Sequence, residues 1–546
     1  MKHKKKGLPS WTKTAVGLAL GLIGFCIPLL VQFDGLSYAG HLTLGIFLVA
    51  ASFWMLEPIP IYATSMLVIF LQVIFLSSQG PLYQNASLST SIQPEATGQQ
   101  DVWRIPEEAF RGDEVFLLKS EQASEGLEVE LVSQENGHIL VRSEELSASA
   151  AIIPDAGHKL AGYEPPPFAR FFGTLASPII ILFLGGFMLA AGAVKYNLDK
   201  NLTNILLKPF GEKPMFIVLG LMLVTATLSA FMSNTATTAM MMTVAIPIAL
   251  QVSKEDKFRI MLALCIPIAA NLGGMATPIG TPPNAIVLSA LDSQGISIAF
   301  GTWMAIATPL ALVMLFVAWG LMRVLYPPQV ERFKLELEGN FLTSPRAIMM
   351  YVVFGATVLL WVTEAQHGIP SSMVAFLPIA GLTVTSVLEQ GDIRKLPWEV
   401  LWLVAGGIAL GISMDNTGLA VWLVSSINWA VLPQLMLLLV FGLVALMLSN
   451  FLSNTVTATL LIPLAVSLST SGIAGEGFSL VISAVLIGMA CNMAMLLPIS
   501  TPPNAIAMST GYIKTADMVK IGSIIGIIGL FVALGYAMLF WPIILL

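Results

Sequence analysis

The sequence predicts an all-α polytopic membrane protein with an internal inverted repeat: 11 transmembrane helices, two re-entrant hairpins and a small β-rich insertion outside the membrane. The first observation is composition, because 56% of the 546 residues are hydrophobic, only 11% are charged, and the mean hydropathy is +0.83. The second is a series of apolar runs long enough to cross a bilayer. The third is that motifs of the first half recur in the second half at a fixed spacing.

The low content of charged residues excludes several classes of protein. A typical soluble domain has roughly 25% charged residues, so this chain is not a soluble enzyme, a nucleic-acid binder or a disordered protein. Its formal charge of −6 averages two unlike parts. Residues 79–168 hold 15 acidic and 5 basic residues, a formal charge of −10, and the remainder carries +4. The membrane part is therefore mildly basic.

Residues 1–78 contain three predicted transmembrane helices, at about 14–33, 40–56 and 60–77. The N-terminus, MKHKKKGLPSWTKT, is basic and precedes the first apolar run. A signal peptide has a similar pattern, but no A-x-A-like cleavage site follows and further spans do. The pattern favours an uncleaved first helix with its N-terminus in the cytoplasm.

The acidic segment, residues 79–168, interrupts the series of spans. Its VFLLK, LEVELV and HILVRS stretches alternate or run apolar between turns, which is typical of short strands. We predict a small β-rich domain outside the membrane, and a disordered acidic loop is the competing interpretation.

The remaining chain divides into two membrane units joined by a cytoplasmic linker, 326–345. The first unit, 169–325, contains a span at 174–194, a hairpin at 214–250, a broken helix at 258–291 and a span at 302–325. The second unit, 346–546, contains spans at 346–363, 371–388 and 399–427, a hairpin at 430–468, a broken helix at 478–512 and a last span at 518–545.

Lysine and arginine orient these elements. They cluster at Lys195, Lys200, Lys208 and Lys213; Lys254, Lys257 and Arg259; Arg323, Arg332, Lys334 and Arg346; Arg394 and Lys395; and Lys514 and Lys520. Placing all clusters in the cytoplasm, as the positive-inside rule expects, requires 214–250 and 430–468 each to enter and leave on one side. They are therefore predicted as re-entrant hairpins in a multi-pass protein of the cell membrane, with the C-terminus outside.

The internal repeat is the strongest signal. Ser233-Asn234-Thr235 recurs as Ser453-Asn454-Thr455, and Thr281-Pro282-Pro283-Asn284 recurs as Thr501-Pro502-Pro503-Asn504, both with residue numbers higher by 220. Gly185-Gly186 recurs as Gly406-Gly407 at an offset of 221, whereas Trp54-x-x-Glu57 recurs as Trp361-x-x-Glu364 at an offset of 307. These two offsets differ by nearly the length of the acidic segment, which is thus an insertion into the first copy. Each copy has five spans, and because this number is odd, the two copies have opposite orientations in the membrane. Such inverted repeats are typical of secondary transporters.

Each repeated motif has a physical use. Ser, Asn and Thr are good N-cap residues, so SNT can start a half-helix within the bilayer whose free N–H groups form an anion site. TPPN breaks a helix, with Thr281 as N-cap and Pro282 at the first helical position. Backbone carbonyls freed before the break, from Thr277 to Gly280 and from Pro498 to Ser500, are suitable ligands for Na⁺.

Ionisable residues are absent from both SNT and both TPPN regions, which favours Na⁺ over H⁺ as coupling ion. Asp415, Glu57 and Glu364 are the candidate exceptions, and structural roles are the favoured interpretation for them. The five histidines lie outside the repeated motifs, and neither HExxH nor GxSxG occurs, so the chain is not expected to be an enzyme or to use an organic cofactor.

Together, these motifs closely resemble the divalent anion:sodium symporter family over nearly the whole chain except the insertion. The resemblance implies a homodimer, in a bacterial inner membrane, that works by an elevator mechanism. A transport domain holding both hairpins and both broken helices would slide against a dimer-forming scaffold, to which residues 1–78 would belong.

The resemblance also implies the site residues. Sodium site 1 maps to Ser229, Ser233, Asn234 and Gly280, and sodium site 2 maps to Ser449, Leu452, Asn454 and Ser500. Substrate carboxylates map to Ser233, Asn234, Thr235, Thr281, Pro282, Ser453, Asn454, Thr455, Thr501 and Pro502. The insertion departs from the usual bacterial pattern of the family.

The expected function is therefore sodium-coupled import of a small dianionic carboxylate, namely a C4-dicarboxylate such as succinate, malate or fumarate. Within the same family type, a sulfate carrier, a citrate carrier and a sodium-independent dicarboxylate exchanger remain alternatives. A membrane sensor whose insertion binds a partner is an alternative of another class.

Overall fold

The structure is a computed structural model that describes residues 10–80, 95–97, 102–106, 116–120, 127–135, 138–142, 152–153, 165–253, 255–332, 341–425, 432–473 and 478–544. Most of these residues are helical, which confirms the predicted class of a helical membrane protein. Residues 1–9, the linker residues 333–340 and much of the acidic insertion lie outside the described residues.

The first copy of the repeat, with the helix that precedes it, runs from α1 to α11. The helices are α1 Ser10–Leu30, α2 Tyr38–Leu56, α3 Ile61–Leu76, α4 Phe168–Gly173, α5 Pro178–Lys195, α6 Leu198–Leu207, α7 Pro214–Phe231, α8 Asn234–Leu250, α9 Phe258–Gly274, α10 Pro282–Ser293 and α11 Phe300–Leu325. Short 3₁₀ turns at Thr174–Ala176 and Lys208–Phe210 lie between helices of this series.

The second copy runs from α12 to α23. The helices are α12 Pro345–Val362, α13 Glu364–His367, α14 Ser371–Val374, α15 Phe376–Val384, α16 Gln390–Ile393, α17 Trp398–Asn416, α18 Leu419–Ser425, α19 Gln434–Ser449, α20 Asn454–Thr470, α21 Leu480–Asn492, α22 Pro502–Ser509 and α23 Thr515–Ile544.

Local sequence explains several helix starts. Ser177 and Ser344 each precede a proline, and their hydroxyls accept hydrogen bonds from Ile180 N at 3.4 Å and Ala347 N at 3.3 Å. Serine satisfies an unpaired N–H, and proline at the first helical position has no N–H to satisfy. These two Ser-Pro pairs therefore fix where α5 and α12 begin.

The described part of the insertion forms strands, as the alternating stretches predict. They are β1 Glu95–Ala96, β2 Val102–Pro106, β3 Phe116–Ser120, β4 Leu127–Glu135, β5 His138–Arg142 and β6 Ile152–Ile153. Their order in the sheet is β1-β2-β5-β4-β3-β6, and every pairing is antiparallel. The two ends of the insertion meet, since Ser78 N donates to Pro166 O at 2.9 Å.

Seven of the described helical segments are long and apolar enough to cross a membrane by themselves. These are Tyr38–Leu56, Phe168–Lys195, Pro214–Phe231, Phe300–Leu325, Pro345–Val362, Trp398–Asn416 and Thr515–Trp541. Other apolar helices are shorter, such as Phe258–Gly274 and Leu480–Asn492, where the TPPN regions interrupt the apolar run. The count of 11 spans therefore stays a prediction.

Two runs predicted as single spans are divided in the structure. The run at 371–388 contains α14 and α15, and the run at 399–427 contains α17 and α18. Gly418 between α17 and α18 has a φ of +71°, a left-handed conformation that ends a helix and favours glycine. The continuous apolar composition hides this turn from a hydropathy pattern.

Buried apolar side chains form two separate cores. The first core unites α7–α11 with α19–α23, so it contains the two apolar stretches predicted as hairpins and both broken helices. The second core unites α2, α3, α5, α12, α14, α15 and α17. Each core draws helices from both copies of the repeat, and the two cores meet near the SNT and TPPN motifs, where Ile279 and Val456 belong to the second core.

Candidate functional site

The two SNT motifs start helices inside the apolar stretches 214–250 and 430–468. Ser233 Oγ accepts a hydrogen bond from Ala236 N at 3.4 Å, and α8 begins directly after it. Ser453 Oγ accepts from Val456 N at 3.2 Å, and α20 begins directly after it. Because the first N–H groups of a helix have no partner within the helix, each start presents donors and the positive end of the helix dipole.

The two TPPN motifs start helices after a break. The chain leaves α9 at Gly274 and enters α10 at Pro282, and it leaves α21 at Asn492 and enters α22 at Pro502. Both threonines before the prolines occupy the N-cap position. Thr501 Oγ1 accepts from Asn504 N at 3.4 Å, whereas Thr281 makes no capping hydrogen bond with its side chain among the described residues.

One cavity of about 310 Å³ joins the four helix starts. All ten residues predicted for the substrate line it: Ser233, Asn234, Thr235, Thr281, Pro282, Ser453, Asn454, Thr455, Thr501 and Pro502. Gly280 and Ser500 also line the cavity. The other predicted cation ligands are buried and do not line it: Ser229, Ser449 and Leu452. The volume is in the range of small-molecule sites, roughly 300–1,000 Å³.

The first predicted cation set is held together by short contacts. The Ser229 hydroxyl lies 2.5 Å from Asn234 Oδ1 and 2.9 Å from Ala270 O. A Cβ at Gly274 would lie 2.5 Å from Asn234 Oδ1, so glycine there makes room for the asparagine side chain. A Cβ at Gly280 would overlap the Gly274 carbonyl oxygen, so the two ends of the break approach each other backbone to backbone.

The second predicted cation set contains an unpaired oxygen. Asn454 Oδ1 is buried and has no hydrogen-bond partner among the described residues. Ser449 is fully buried, and Leu452 is nearly so. The Ser500 hydroxyl accepts from Leu497 N at 2.9 Å and lies 3.0 Å from Asn450 O.

These donor sets suit a hard monovalent cation. Both consist of neutral hydroxyl, amide and carbonyl oxygens, and hard cations prefer oxygen ligands. A buried acceptor without a donor, such as Asn454 Oδ1, is costly unless something satisfies it. A cation supplies that partner, so the residues present fit a sodium ion.

The electrostatics of the cavity come from helix ends. Among the described residues that line it, none is Lys, Arg or His, and the charged one is Glu399 at the start of α17. A carboxylate repels an anion, so attraction for an anion must come from the N-termini of α8, α10, α20 and α22 and from bound cations.

Several lining residues were missed by sequence reasoning. Asn271, Phe183, Phe187 and Glu399 face the cavity from outside the repeated motifs. Phe183 and Phe187 form an edge-to-face pair with ring centroids 5.7 Å apart. The asparagine of each TPPN motif is part of the repeat, but the sequence does not reveal its role. In the structure, the side chains of Asn284 and Asn504 donate hydrogen bonds to backbone carbonyls of the preceding breaks.

The three candidate ionisable residues lie elsewhere. Glu364 accepts hydrogen bonds from Phe300 N at 2.7 Å and Ser371 N at 3.1 Å, so it joins the starts of α11 and α14. Glu57 is an exposed residue at the end of α2. Asp415 lines a second cavity of about 220 Å³ at the far end of α17.

Comparison with known proteins gives consistent matches. The family model described as a citrate transporter matches residues 146–488. An uncharacterized transporter of Haemophilus influenzae is 32% identical over 386 residues, which cover 67% of this chain and 82% of that protein. The sodium-dependent dicarboxylate transporter SdcS of Staphylococcus saprophyticus is 31% identical, over 68% of this chain and 77% of that protein.

A relative from an animal matches as well. The sodium-dependent high-affinity dicarboxylate transporter 3 of Caenorhabditis elegans is 30% identical, over 63% of this chain and 71% of that protein. Among solved structures, the YdaH transporter of Alcanivorax borkumensis has a TM-score of 0.48 at 11% identity, which bears on neither fold nor function. The family model and these relatives establish that the chain belongs to the citrate transporter family and is a transporter of the divalent anion:sodium symporter type.

Proposed function

We propose that this protein is a sodium-coupled symporter that imports C4-dicarboxylates such as succinate, malate or fumarate. The observation that carries the proposal is the single cavity in which four helix N-termini and ten hydroxyl, amide and proline residues of the repeated motifs converge. Helix N-termini bind carboxylates without a formal positive charge. The names of the Staphylococcus and Caenorhabditis relatives, both sodium-dependent dicarboxylate transporters, support the same substrate class and coupling ion.

Sodium and substrate would bind in order. An ion at the first site would replace the hydrogen bond between Ser229 and Asn234, and an ion at the second site would satisfy Asn454 Oδ1, so that both SNT motifs become fixed. The dianion would then bind between the two motifs, where sodium ions offset its charge. Dianion binding without sodium would be weak, because the described lining offers no basic side chain and Glu399 repels the dianion.

Movement of the loaded site would follow the elevator mechanism within a homodimer. The segregation of the hydrophobic contacts into two cores supports two bodies, and the helices that start at the SNT and TPPN motifs pack mainly in the first core. The first turns of α17 line the site cavity, and its last turns line the second cavity. The loaded site would thus travel along α17 towards the end that the positive-inside rule assigns to the cytoplasm, and the empty site would return towards the opposite end.

Alanine substitution of the two tip asparagines tests the site. Asn234→Ala and Asn454→Ala should each abolish uptake of succinate into proteoliposomes, because each removes a side-chain oxygen from one predicted cation set. Asn201→Ala is the matched control, since Asn201 is a buried asparagine of α6 outside the cavity. Full activity of either tip variant, with correctly folded protein, would contradict the assignment.

Citrate is a second candidate substrate, because the matching family model is described as a citrate transporter. Thermal unfolding of the purified protein with succinate, citrate or sulfate, with and without Na⁺, separates the candidates. A ligand that binds the folded state raises its apparent stability, by about 2.7 kcal/mol at a concentration 100 times its Kd. The proposal expects the larger sodium-dependent shift with succinate.

A further inference from the structure

The asparagine of each TPPN motif binds backbone carbonyls of the helix break that precedes it. Asn284 Nδ2 donates to Thr277 O at 2.8 Å and lies 3.4 Å from Met275 O. Asn504 Nδ2 lies 2.9 Å from Leu497 O and 3.0 Å from Met495 O. The carbonyl acceptors correspond between the copies at the same numbering offset as the asparagines themselves. The carbonyls freed by the two breaks are therefore bound in the same way in both copies.

The oxygen of each of these asparagines faces the other copy of the repeat. Asn492 Nδ2 donates to Asn284 Oδ1 at 3.0 Å, from the last residue of α21. Asn271 Nδ2, in α9, lies 3.5 Å from Asn504 Oδ1 and 3.1 Å from Thr501 Oγ1. We call the four residues Asn271, Asn284, Asn492 and Asn504 the asparagine clasp.

The clasp lies deep within the protein. All four asparagines are at most 2% exposed, and α9 and α21 around them are otherwise mostly apolar. Buried amides are unfavourable unless their donors and acceptors are paired, and a chain of paired amides fixes the relative position of the segments that it joins. The clasp therefore ties the break of one copy to the break of the other.

The two breaks supply one residue each to the predicted cation sets, Gly280 to the first and Ser500 to the second. Any shift of one break on cation binding moves its asparagine, and the crossed amide contacts pass that shift to the other break. Two binding sites are coupled when ligand binding at each of them shifts the same structural element.

We infer that Asn271 and Asn492 are positioning residues that couple the two cation sites, so that sodium at one break raises the affinity for sodium at the other. This inference rests on the proposed sodium-coupled function. Asn284 and Asn504 also donate to the carbonyls of their own breaks, so changing them would remove those hydrogen bonds. Asn271 and Asn492 can be changed without removing them.

The test is the sodium dependence of succinate uptake by the full-length protein in proteoliposomes. Two interacting sodium sites should give the wild type a sigmoidal activation curve, with a Hill coefficient approaching about 2. Asn492→Ala and Asn271→Ala should lower the coefficient towards about 1 and raise the half-saturating sodium concentration several-fold. Because Asn492 lies outside the cavity lining and supplies no predicted cation ligand, most of the maximal rate of Asn492→Ala should return at saturating sodium. Asn201→Ala, which changes a buried asparagine of α6 outside the cavity lining, should leave the curve unchanged.

The outcomes separate the inference from the function on which it rests. Sodium-independent uptake by the wild type would overturn the proposed function and the inference together. A Hill coefficient that is the same in the wild type and in both clasp variants would overturn the inference alone. If an alanine variant does not fold, Asn492→Ser and Asn271→Ser keep a shorter donor at each position. Sodium titration of their thermal unfolding then reports the same loss or retention of cooperativity.

Discussion

At the scale of single residues, Gly280 carries the strictest steric requirement of the site. A Cβ at this position would overlap the Gly274 carbonyl oxygen across the break. Gly280→Ala should therefore open the first cation set, destabilise the protein by about 1–3 kcal/mol through overpacking, and reduce sodium-dependent uptake to background. The measurements are uptake in proteoliposomes and thermal unfolding. Gly355→Ala is the control, because a Cβ there meets no atom within 4 Å, and wild-type uptake by Gly280→Ala would contradict the account.

Residue roles were predictable where local chemistry decides them. Ser233 and Ser453 cap their helices because serine before a helix start satisfies a free N–H wherever the rest of the chain lies. The contact of Asn271 with Thr501 joins residues 230 positions apart, and no local pattern reveals it. The two copies also differ here, since the counterpart of Asn271 in the second copy is Cys491.

At the scale of elements, the repeated glycine pairs mark contacts between helices. In α17, a Cβ at Gly406 would lie 2.6 Å from Ser65 Cβ of α3, whereas a Cβ at Gly407 would lie 2.9 Å from the Thr459 side chain of α20. In α5, a Cβ at Gly185 would lie 2.7 Å from Ala375 O, and one at Gly186 would lie 3.0 Å from Ile279 Cδ1 in the first break. The first glycine of each pair thus faces a helix neighbour of the second core, and the second faces an element of the site.

Gly407→Ala should slow transport more than it destabilises the protein. A methyl group there presses on Thr459, across the contact along which the site would move, so Vmax should fall several-fold. Gly355→Ala is the control, because a Cβ there meets no atom within 4 Å. Equal rates for Gly407→Ala and Gly355→Ala would argue against movement along this face.

The positions of helix breaks and helix ends could be predicted where proline or charged residues mark them. The TPPN breaks follow from proline chemistry, and the structure has them between Gly274 and Pro282 and between Asn492 and Pro502. The turn at Gly418 was missed because one glycine within an apolar run gives no decisive signal. The division of 371–388 into α14 and α15 falls at Ala375, where neither a glycine nor a proline marks it.

At the scale of the whole molecule, we expect the insertion to be dispensable for transport. Its ends meet at the start of the membrane part, where Ser78 N donates to Pro166 O at 2.9 Å and Phe168 N donates to Gln79 Oε1 at 3.1 Å. A chain in which a short Gly-Ser linker replaces residues 81–164 should fold and keep sodium-dependent uptake, because loops between close ends tolerate such changes. Folded protein without uptake would instead indicate that the insertion is part of the functional unit.

The whole-molecule arrangement was only partly predictable. The constant offset between the repeated motifs and the position of the insertion within the first copy follow from the sequence alone. The segregation of helices into two cores depends on side-chain contacts between distant segments, such as those that unite α7–α11 with α19–α23. Hydropathy reports that a helix is apolar but not which helix it contacts.

The most direct test of the central claim is uptake of labelled succinate by the purified wild-type protein in proteoliposomes, with an inward sodium gradient or with choline in its place. Sodium-coupled dicarboxylate import predicts accumulation of succinate with sodium, no accumulation above empty liposomes with choline, and competition by malate and fumarate. Uptake of succinate that is the same in choline as in sodium would contradict the account.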